Sequence, residues 1–354
     1  MALRVIQWAT GSVGKAAIES ILAHPELELT GCWVHSPDKH GKDAGELIGR
    51  PALGVTVTSD VDEILACDAD AVVYAPLVPN PAEVATLLRS GKNVVTPVGW
   101  FYPSDKDAGP LAAACAEGDV SLHGTGINPG GVTETFPLML SAMSSAVTFV
   151  RAEEYSDIRT YGAPDVVRWI MCFGATPEEA RNGPMLKLLT GGFNQSMAMV
   201  LDTLGLRERA EVTTLHDVAV ATEPIDSPIG MIEPGRVAGQ RFGWQACVDG
   251  KVVVHIGVHW LMGELHLDPP WTFGPQGERF EIEIKGNPNT FATIKGWQPE
   301  TVEEGLVSNP GIVATAAHCV NSVPYVCAAP PGIVTSLELP LVAGRADRQL
   351  LGAG

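Results

Sequence analysis

The chain has 354 residues, enough for two domains or one large one. Its 41 acidic residues outnumber 23 Lys and Arg, for a formal net charge of −18 and a pI near 4.8. No Lys/Arg cluster exists, which argues against nucleic acid and anionic membrane surfaces as partners. Hydrophobic content of 45% with 18% charged residues is that of a globular protein. No apolar stretch reaches membrane-spanning length; even Val252–Met262 is broken by His255, Gly257 and His259. Met1-Ala2-Leu3-Arg4 passes straight into a strand pattern, so no signal peptide is expected. The seven Cys are scattered without C-x-x-C spacing, as expected for reduced thiols in a cytoplasmic protein.

The chain opens on an apolar run, Leu3–Trp8, followed by the small-residue loop Ala9-Thr10-Gly11-Ser12-Val13-Gly14. A helical pattern then places Ile18, Ile21 and Leu22 on one face, so the order is strand, tight turn, helix N-terminus. Backbone N–H groups at such a helix start, with the helix dipole behind them, favour a phosphate. The loop meets the dinucleotide pattern with Ala9 in the first position, Gly11 free to approach a pyrophosphate and Gly14 allowing close helix packing. Thr10, Gly11, Ser12, Val13 and Gly14 are therefore candidate cofactor contacts; the competing reading is an ordinary Gly-rich turn.

Leu27–Val34 reads as the second strand, followed by the polar segment His35–Lys42. Where a carboxylate would bind the ribose 2′-OH of NAD, the chain holds His35 and Ser36 with Lys39 behind them. A hydroxyl with local cations suits a 2′-phosphate, so the expected cofactor is NADP, with NAD as the alternative. Strands at Gly54–Thr58, Ala71–Ala75, Asn93–Pro97 and Val120–His123 alternate with helical Asp60–Cys67, a helix through Ser90, and Asp107–Glu117. Such alternation means a doubly wound parallel sheet of the Rossmann type. Pro76, in the loop after the strand Ala71–Ala75, falls at the carboxyl edge where a cofactor would lie.

The turn Gly124-Thr125-Gly126-Ile127-Asn128-Pro129-Gly130 follows the last of these strands, and Asn128 and Pro129 are candidates for fixing a nicotinamide carboxamide. A helix is expected over Val132–Ser144. Beyond it, period-two alternation at Val147–Tyr155, Glu211–Ala221, Gly235–Asp249, Lys251–Met262 and Arg279–Lys285 predicts a mixed or antiparallel sheet in an α+β domain. Helices are expected over Thr176–Thr190, Gly192–Leu204 and Gly311–Val323.

Glu154, Asp157 and Tyr161 follow the strand Val147–Ala152 and are the catalytic candidates, a carboxylate and a phenol able to position a proton and a substrate. Glu154 shares a strand face with Ala152 and Val150, which favours an inward side chain; an exposed strand end is the competing reading. His255 and His259 share a face of one strand but lie about 13 Å apart along it, too far for shared metal ligation. With no other ligand spacing, no metal is expected. Tyr102 and Lys106 meet a Y-x-x-x-K pattern, but Pro103 argues against the helix such a pair needs. Trp100, Phe101, Tyr161 and Trp169 would give a substrate pocket apolar walls.

Taken together, Trp8–Gly14, Gly41–Leu47, Lys92–Val95, Gly124–Gly130, Asn321–Pro324 and Pro331–Thr335 resemble the dihydrodipicolinate reductase-like superfamily. More narrowly the chain resembles the branch of 2,4-diaminopentanoate dehydrogenase and the native amine dehydrogenases, mycobacterial relatives included. The resemblance implies a homodimer, a dinucleotide-binding domain over 1–130, a substrate and dimerisation domain over 131–305, a C-terminal segment 306–342 returning to the first domain, and a tail 343–354. It implies NAD(P)-dependent interconversion of ketone and amine, with a small carbonyl or amine substrate and ammonia as partners. Dihydrodipicolinate reductases carry a His-His-x-x-Lys stretch that is absent here. Amine dehydrogenases of this branch place a Glu before a Tyr-Pro pair, whereas Thr96–Tyr102 contains no acid. Either Glu154 or Asp157 takes that role, or the chemistry is ammonia-independent reduction of a carbonyl or imine. A dinucleotide-binding sensor without turnover is the reading from outside the enzymes.

Overall fold

A computed structural model describes residues 2–347 and 350–352. The chain divides into two compact units, Met1–Gly130 with Ile312–Gly354, and Gly131–Gly311.

In chain order, the first unit begins with β1 (Leu3–Trp8), α1 (Ser12–Ala23), β2 (Leu27–Trp33), α2 (Ala44–Leu47), β3 (Val57–Thr58) and α3 (Val61–Ala66). It continues with β4 (Ala71–Tyr74), α4 (Pro81–Arg89), β5 (Asn93–Thr96), α5 (Asp105–Gly118) and β6 (Ser121–Gly124). The second unit contains α6 (Phe136–Ser141), β7 (Ser145–Asp157), α7 (Pro177–Arg181), α8 (Met185–Thr203), β8 (Glu211–Ala221), β9 (Val237–Val248) and β10 (Lys251–Leu261). After β11 (Leu267–Asp268), β12 (Arg279–Asn287), β13 (Thr290–Ile294) and α9 (Val302–Val307), the chain enters α10 (Pro310–Cys327) and ends in β14 (Gly332–Ile333).

The first sheet runs β14-β6-β5-β4-β1-β2-β3 with every pairing parallel. Its strands are buried on both faces, which is why they read as short apolar runs rather than alternating ones. On one face α1 and α10 bury Ile18, Ile21, Cys319, Val320 and Val323 against Val5 and Val73. On the other, Ile64, Leu87, Leu88 and Leu111 pack on Ile6, Trp8 and Tyr74. The doubly wound Rossmann-type sheet read from sequence is what the chain forms.

The second sheet, β11-β8-β9-β10-β7-β12-β13, is mixed: β10 and β7 run parallel and the other pairs antiparallel. One face is apolar, with Ala152, Ile256, Trp244 and Ile282 side by side across four strands. Phe193 of α8 lies 4.5 Å from Trp244, whose indole N–H donates to Thr190 Oγ1 at 3.0 Å. Truncating a buried Trp of this kind costs about 3–5 kcal/mol. The opposite face is polar and is described with the candidate site.

Two readings differ from the structure, and two short strands went unread. The helix expected over Val132–Ser144 is split into a π-helical turn, Gly131–Thr135, and α6, a distinction that apolar periodicity does not encode. The helical break lies at Asn182–Pro184 instead of Gly191, and α8 runs through Gly191–Gly192 because Phe193, Met197 and Val200 bury its face. The short strands β13 and β14 carry too few residues to show alternation.

Candidate active site

In the first unit the loop after β1 has the form a dinucleotide phosphate requires. Ala9 adopts φ +72°, and a Cβ on Gly14 would meet Ala9 O at 2.1 Å, so only glycine lets α1 start this close to the strand. A Cβ on exposed Gly11 would meet nothing within 4 Å, which leaves open space over the loop. Gly11 is the N-cap of α1 with no side-chain cap, and no acid stands in the first turn. The first-turn amides and the positive end of the dipole thus lack an internal anion, and an external phosphate fits them.

At the end of β2, His35 is exposed and Ser36 half-buried. Lys39 lies on a short 3-10 turn whose N-cap is Ser36, and its Nζ reaches back 3.2 Å to Thr10 Oγ1 and 3.5 Å to Thr10 O. A cation therefore stands directly beside the phosphate loop. Beneath it Trp8 and Trp33 stack with centroids 4.2 Å apart, a rigid floor for this edge. Pro76 is half-buried in the loop after β4.

The turn after β6 is braced by a residue that local pattern could not identify. His318 of α10 donates its Nδ1 proton to Gly126 O at 2.7 Å and sits 3.3 Å from Thr125 Oγ1. Burial lowers the His318 pKa, so the ring is neutral and this tautomer is fixed by the carbonyl it serves. Asn128 and Pro129, half-buried, follow this brace directly.

In the second unit the negative charge of Glu154 acts on Tyr161, while Asp157 is engaged by Arg159. Glu154 lies opposite Val258 of β10 and Phe280 of β12, on the face bearing Trp244 and Phe242. Trp260 Nε1 donates to Glu154 Oε1 at 2.8 Å. The Tyr161 hydroxyl is pushed above its ordinary pKa by burial and by the negative charge of Glu154. Asp157 instead accepts from the Arg159 backbone and from its guanidinium at 3.0 Å, capping the 3-10 turn Ile158–Thr160. Trp100 and Phe101 are buried in the first unit, while Trp169 of the second is exposed, with Arg168 5.8 Å from its ring.

The opposite sheet face holds a second carboxylate in a different setting. Glu153 accepts from Tyr155 Oη at 2.8 Å and pairs with Arg151, which also reaches Glu281 and Glu283 at 3.1 Å. His255 Nε2 lies 3.2 Å and His259 Nε2 3.6 Å from Glu153 Oε1. The two histidines, far apart along their strand, converge because Gly257 between them has no side chain: a Cβ there would meet Glu153 Cγ at 2.9 Å and His255 Nε2 at 3.1 Å. Burial opposes the Glu153 charge, but the contacts from His255, His259 and Arg151 outweigh it and hold the carboxyl well below the usual range. Within this ion network His255 Nδ1 and both ring nitrogens of His259 are buried without a hydrogen-bond partner.

One further carboxylate escaped the sequence reading. Glu134, in the π-helical turn Gly131–Thr135, is 1% exposed and accepts from Thr133 Oγ1. From sequence the segment reads as an ordinary helix face, which gives no sign that Glu134 is buried.

Comparison with known proteins fixes the family. Residues 132–349 match the 2,4-diaminopentanoate dehydrogenase C-terminal domain, and residues 5–95 match the dihydrodipicolinate reductase N-terminus. The chain belongs to the 2,4-diaminopentanoate dehydrogenase family. An amine dehydrogenase of Streptomyces virginiae is 31% identical to it over 98% of this chain and 99% of the relative. A 2,4-diaminopentanoate dehydrogenase of Acetoanaerobium sticklandii is 27% identical over 64% of this chain and 59% of that protein. The solved amine dehydrogenase of Mycobacterium smegmatis shares the fold, with a TM-score of 0.78 at 23% identity over 98% of both chains. The chain is thus an oxidoreductase of the Rossmann type. Among its described residues no helix is long and apolar enough to cross a membrane.

Proposed function

We propose that this oxidoreductase is an NADP-dependent amine dehydrogenase that reductively aminates a small aliphatic ketone or aldehyde with ammonia. The observation that carries the reading is the Glu154 carboxylate on the Trp244 face of the second sheet, oriented by the Trp260 indole N–H. Glu154 supplies a carboxylate and Tyr161 a phenol, while the full-length relative carries the amine dehydrogenase name. Thr10 to Gly14 and the start of α1 would hold the pyrophosphate, and His35, Ser36 and Lys39 the 2′-phosphate. Pro76, Asn128 and Pro129 would line the rest of the dinucleotide. When bound, that cofactor supplies the hydride.

The chain's own residues do the positioning and proton work. Trp260 Nε1 holds the Glu154 carboxylate in one orientation, and Glu154 binds ammonium or takes its proton. The Tyr161 hydroxyl, kept protonated by burial and the Glu154 charge, donates a hydrogen bond to the substrate oxygen. Asp157, bound to Arg159, orders the turn that carries Tyr161. We further propose a homodimer in the cytoplasm; the seven cysteines are all unpaired, as reduced thiols are.

The test is a panel of small ketones and aldehydes with NADPH, run with and without ammonium and followed by nicotinamide absorbance. Oxidation of NADPH only when ammonium is present is the expected result. Rates independent of ammonium would replace amination by carbonyl or imine reduction, which the acid-free stretch Thr96–Tyr102 favours. Tight binding of NADPH without turnover would make the chain a sensor. NADH supporting the faster rate would overturn the NADP assignment.

A further inference from the structure

Gln7 stands where the packing of β1 calls for an apolar side chain. It is fully buried, and β1 runs between β2 and β4 with Val5, Ile6 and Trp8 buried around it. Its Oε1 is enclosed without a hydrogen-bond partner, which works against the stability of the fold. Both protons of its amino group are used: Nε2 donates to Trp8 O at 3.0 Å and to Ala9 O at 2.9 Å. These two carbonyls open the turn between β1 and α1. Ala9 holds φ +72°, a left-handed conformation that a residue with a Cβ keeps only when its surroundings impose it. Ala9 O packs on the first turn of α1, where a Cβ on Gly14 would meet it at 2.1 Å and Gln7 Nε2 at 3.1 Å. The C=O and N–H of a trans peptide point in opposite directions, so Ala9 O held toward Gln7 turns the Thr10 N–H away from it. The next carbonyl, Thr10 O, lies 3.5 Å from Lys39 Nζ, which also reaches Thr10 Oγ1 at 3.2 Å. Three consecutive carbonyls of the turn are thus met by side-chain donors, the first two by Gln7 alone.

We propose that Gln7 is a positioning residue for the dinucleotide. It holds the Trp8 and Ala9 carbonyls inward and so presets the amides of Thr10 to Gly14 for the pyrophosphate. The proposal rests on the reading of that loop as the pyrophosphate site. Fully enclosed, Gln7 acts only through the backbone it holds. Its contribution is preorganisation: the turn stands in its binding form before the dinucleotide arrives, so binding does not have to order it. The unpartnered Oε1 separates this role from a packing role. An apolar side chain of the same length would remove the buried acceptor, but it would also release both carbonyls and the left-handed Ala9 between strand and loop.

The experiment titrates NADPH and NADH by fluorescence into wild type, Gln7→Met, Gln7→Asn and the double variant Gln7→Met with Ala9→Gly. Thermal unfolding without dinucleotide is measured alongside. Gln7→Met, which keeps the length and removes the donor, is expected to weaken the preferred dinucleotide about 10-fold. Its unfolding midpoint should stay within about 4 °C of wild type. Gln7→Asn, an amide one methylene too short to span both carbonyls, should weaken binding in the same direction, and it decides the matter if Gln7→Met does not fold. Ala9→Gly should return about threefold of the affinity lost in Gln7→Met, because glycine takes φ +72° without steric cost. Steady-state kinetics should show the loss in KM for the dinucleotide with kcat at saturation within about twofold. Wild-type affinity in both Gln7 variants would overturn the proposal. So would a double variant that recovers nothing, or a loss of affinity that comes only with a matching fall in the unfolding midpoint. A wild type that binds neither NADPH nor NADH would instead overturn the reading of the loop as a pyrophosphate site.

Discussion

Glu153 and Glu154 are neighbours in sequence and have opposite fates. On β7 successive side chains point to opposite faces, so one residue of difference decides everything around each carboxylate. Glu153 faces Arg151, Tyr155, His255 and His259, which hold it ionised. Glu154 faces the other way, where the Trp260 indole N–H donates to its Oε1. The comparison teaches that counting acids does not locate a site. We propose Glu154 as the working carboxylate because the Trp260 indole N–H orients it.

The comparison can be broken most sharply on the ion-paired face. Glu153→Gln should lower the free energy of unfolding by about 3 kcal/mol in denaturant titrations, because Arg151 keeps its burial and loses its nearest anion. The depressed pKa of Glu153 gives this stability a pH signature. It is present above the ordinary carboxylate range and is lost as pH falls through the folded-state value, so the acid-unfolding curve of the variant should lack that part of its slope. Next in size, Gly257→Ala should cost about 2 kcal/mol, since its Cβ meets Glu153 Cγ and His255 at the point where the network converges. An unchanged unfolding midpoint would show that the network has slack.

On the Glu154 face, Tyr161→Phe should leave stability within about 1 kcal/mol and lower kcat about 10-fold, measured at saturating carbonyl substrate. A pH-dependent effect concerns Glu278, beside the same strand end. Burial, together with the charge of Asp157, lifts its pKa to about 7 against the opposing hydrogen bond from the Asp157 N–H. A raised folded-state pKa gives stability that is complete below the ordinary carboxylate value and lost as pH rises through about 7. Glu278→Gln, neutral at every pH, should therefore lose about 2 kcal/mol less than wild type between about pH 5 and pH 8. Parallel curves would remove Glu278 from the account.

Much of the fold was legible because the two sheets write themselves differently. The strands from Leu3–Trp8 to Ser121–Gly124 are buried on both faces and appear as apolar runs, while Glu211–Ala221 alternates and its bounds can be read directly. The loop Ala9–Gly14 was legible because glycine there answers a local demand, the close start of α1 against Ala9. The Gly191–Gly192 pair misled for the complementary reason: tertiary burial of Phe193 and Met197 overrides a weak local preference for breaking the helix. In the second unit the sequence shows which residues share a strand but not which strands meet. Glu153 finds His255 more than a hundred residues away only through the parallel pairing of β7 with β10. The same pairing brings Trp260 to Glu154. Glu134 was invisible because a π-helical turn carries no periodicity of its own.

The most direct test measures kcat and the free energy of unfolding for Glu153→Gln and Glu154→Gln side by side. The two faces predict a crossed result. Glu154→Gln should lose about 100-fold or more in ammonium-dependent turnover with its unfolding free energy within about 1 kcal/mol of wild type. Glu153→Gln should unfold more easily by about 3 kcal/mol while its folded fraction turns over at nearly the wild-type rate. If Glu154→Gln keeps its rate, or if both variants lose rate and stability together, the division of labour between the faces is contradicted.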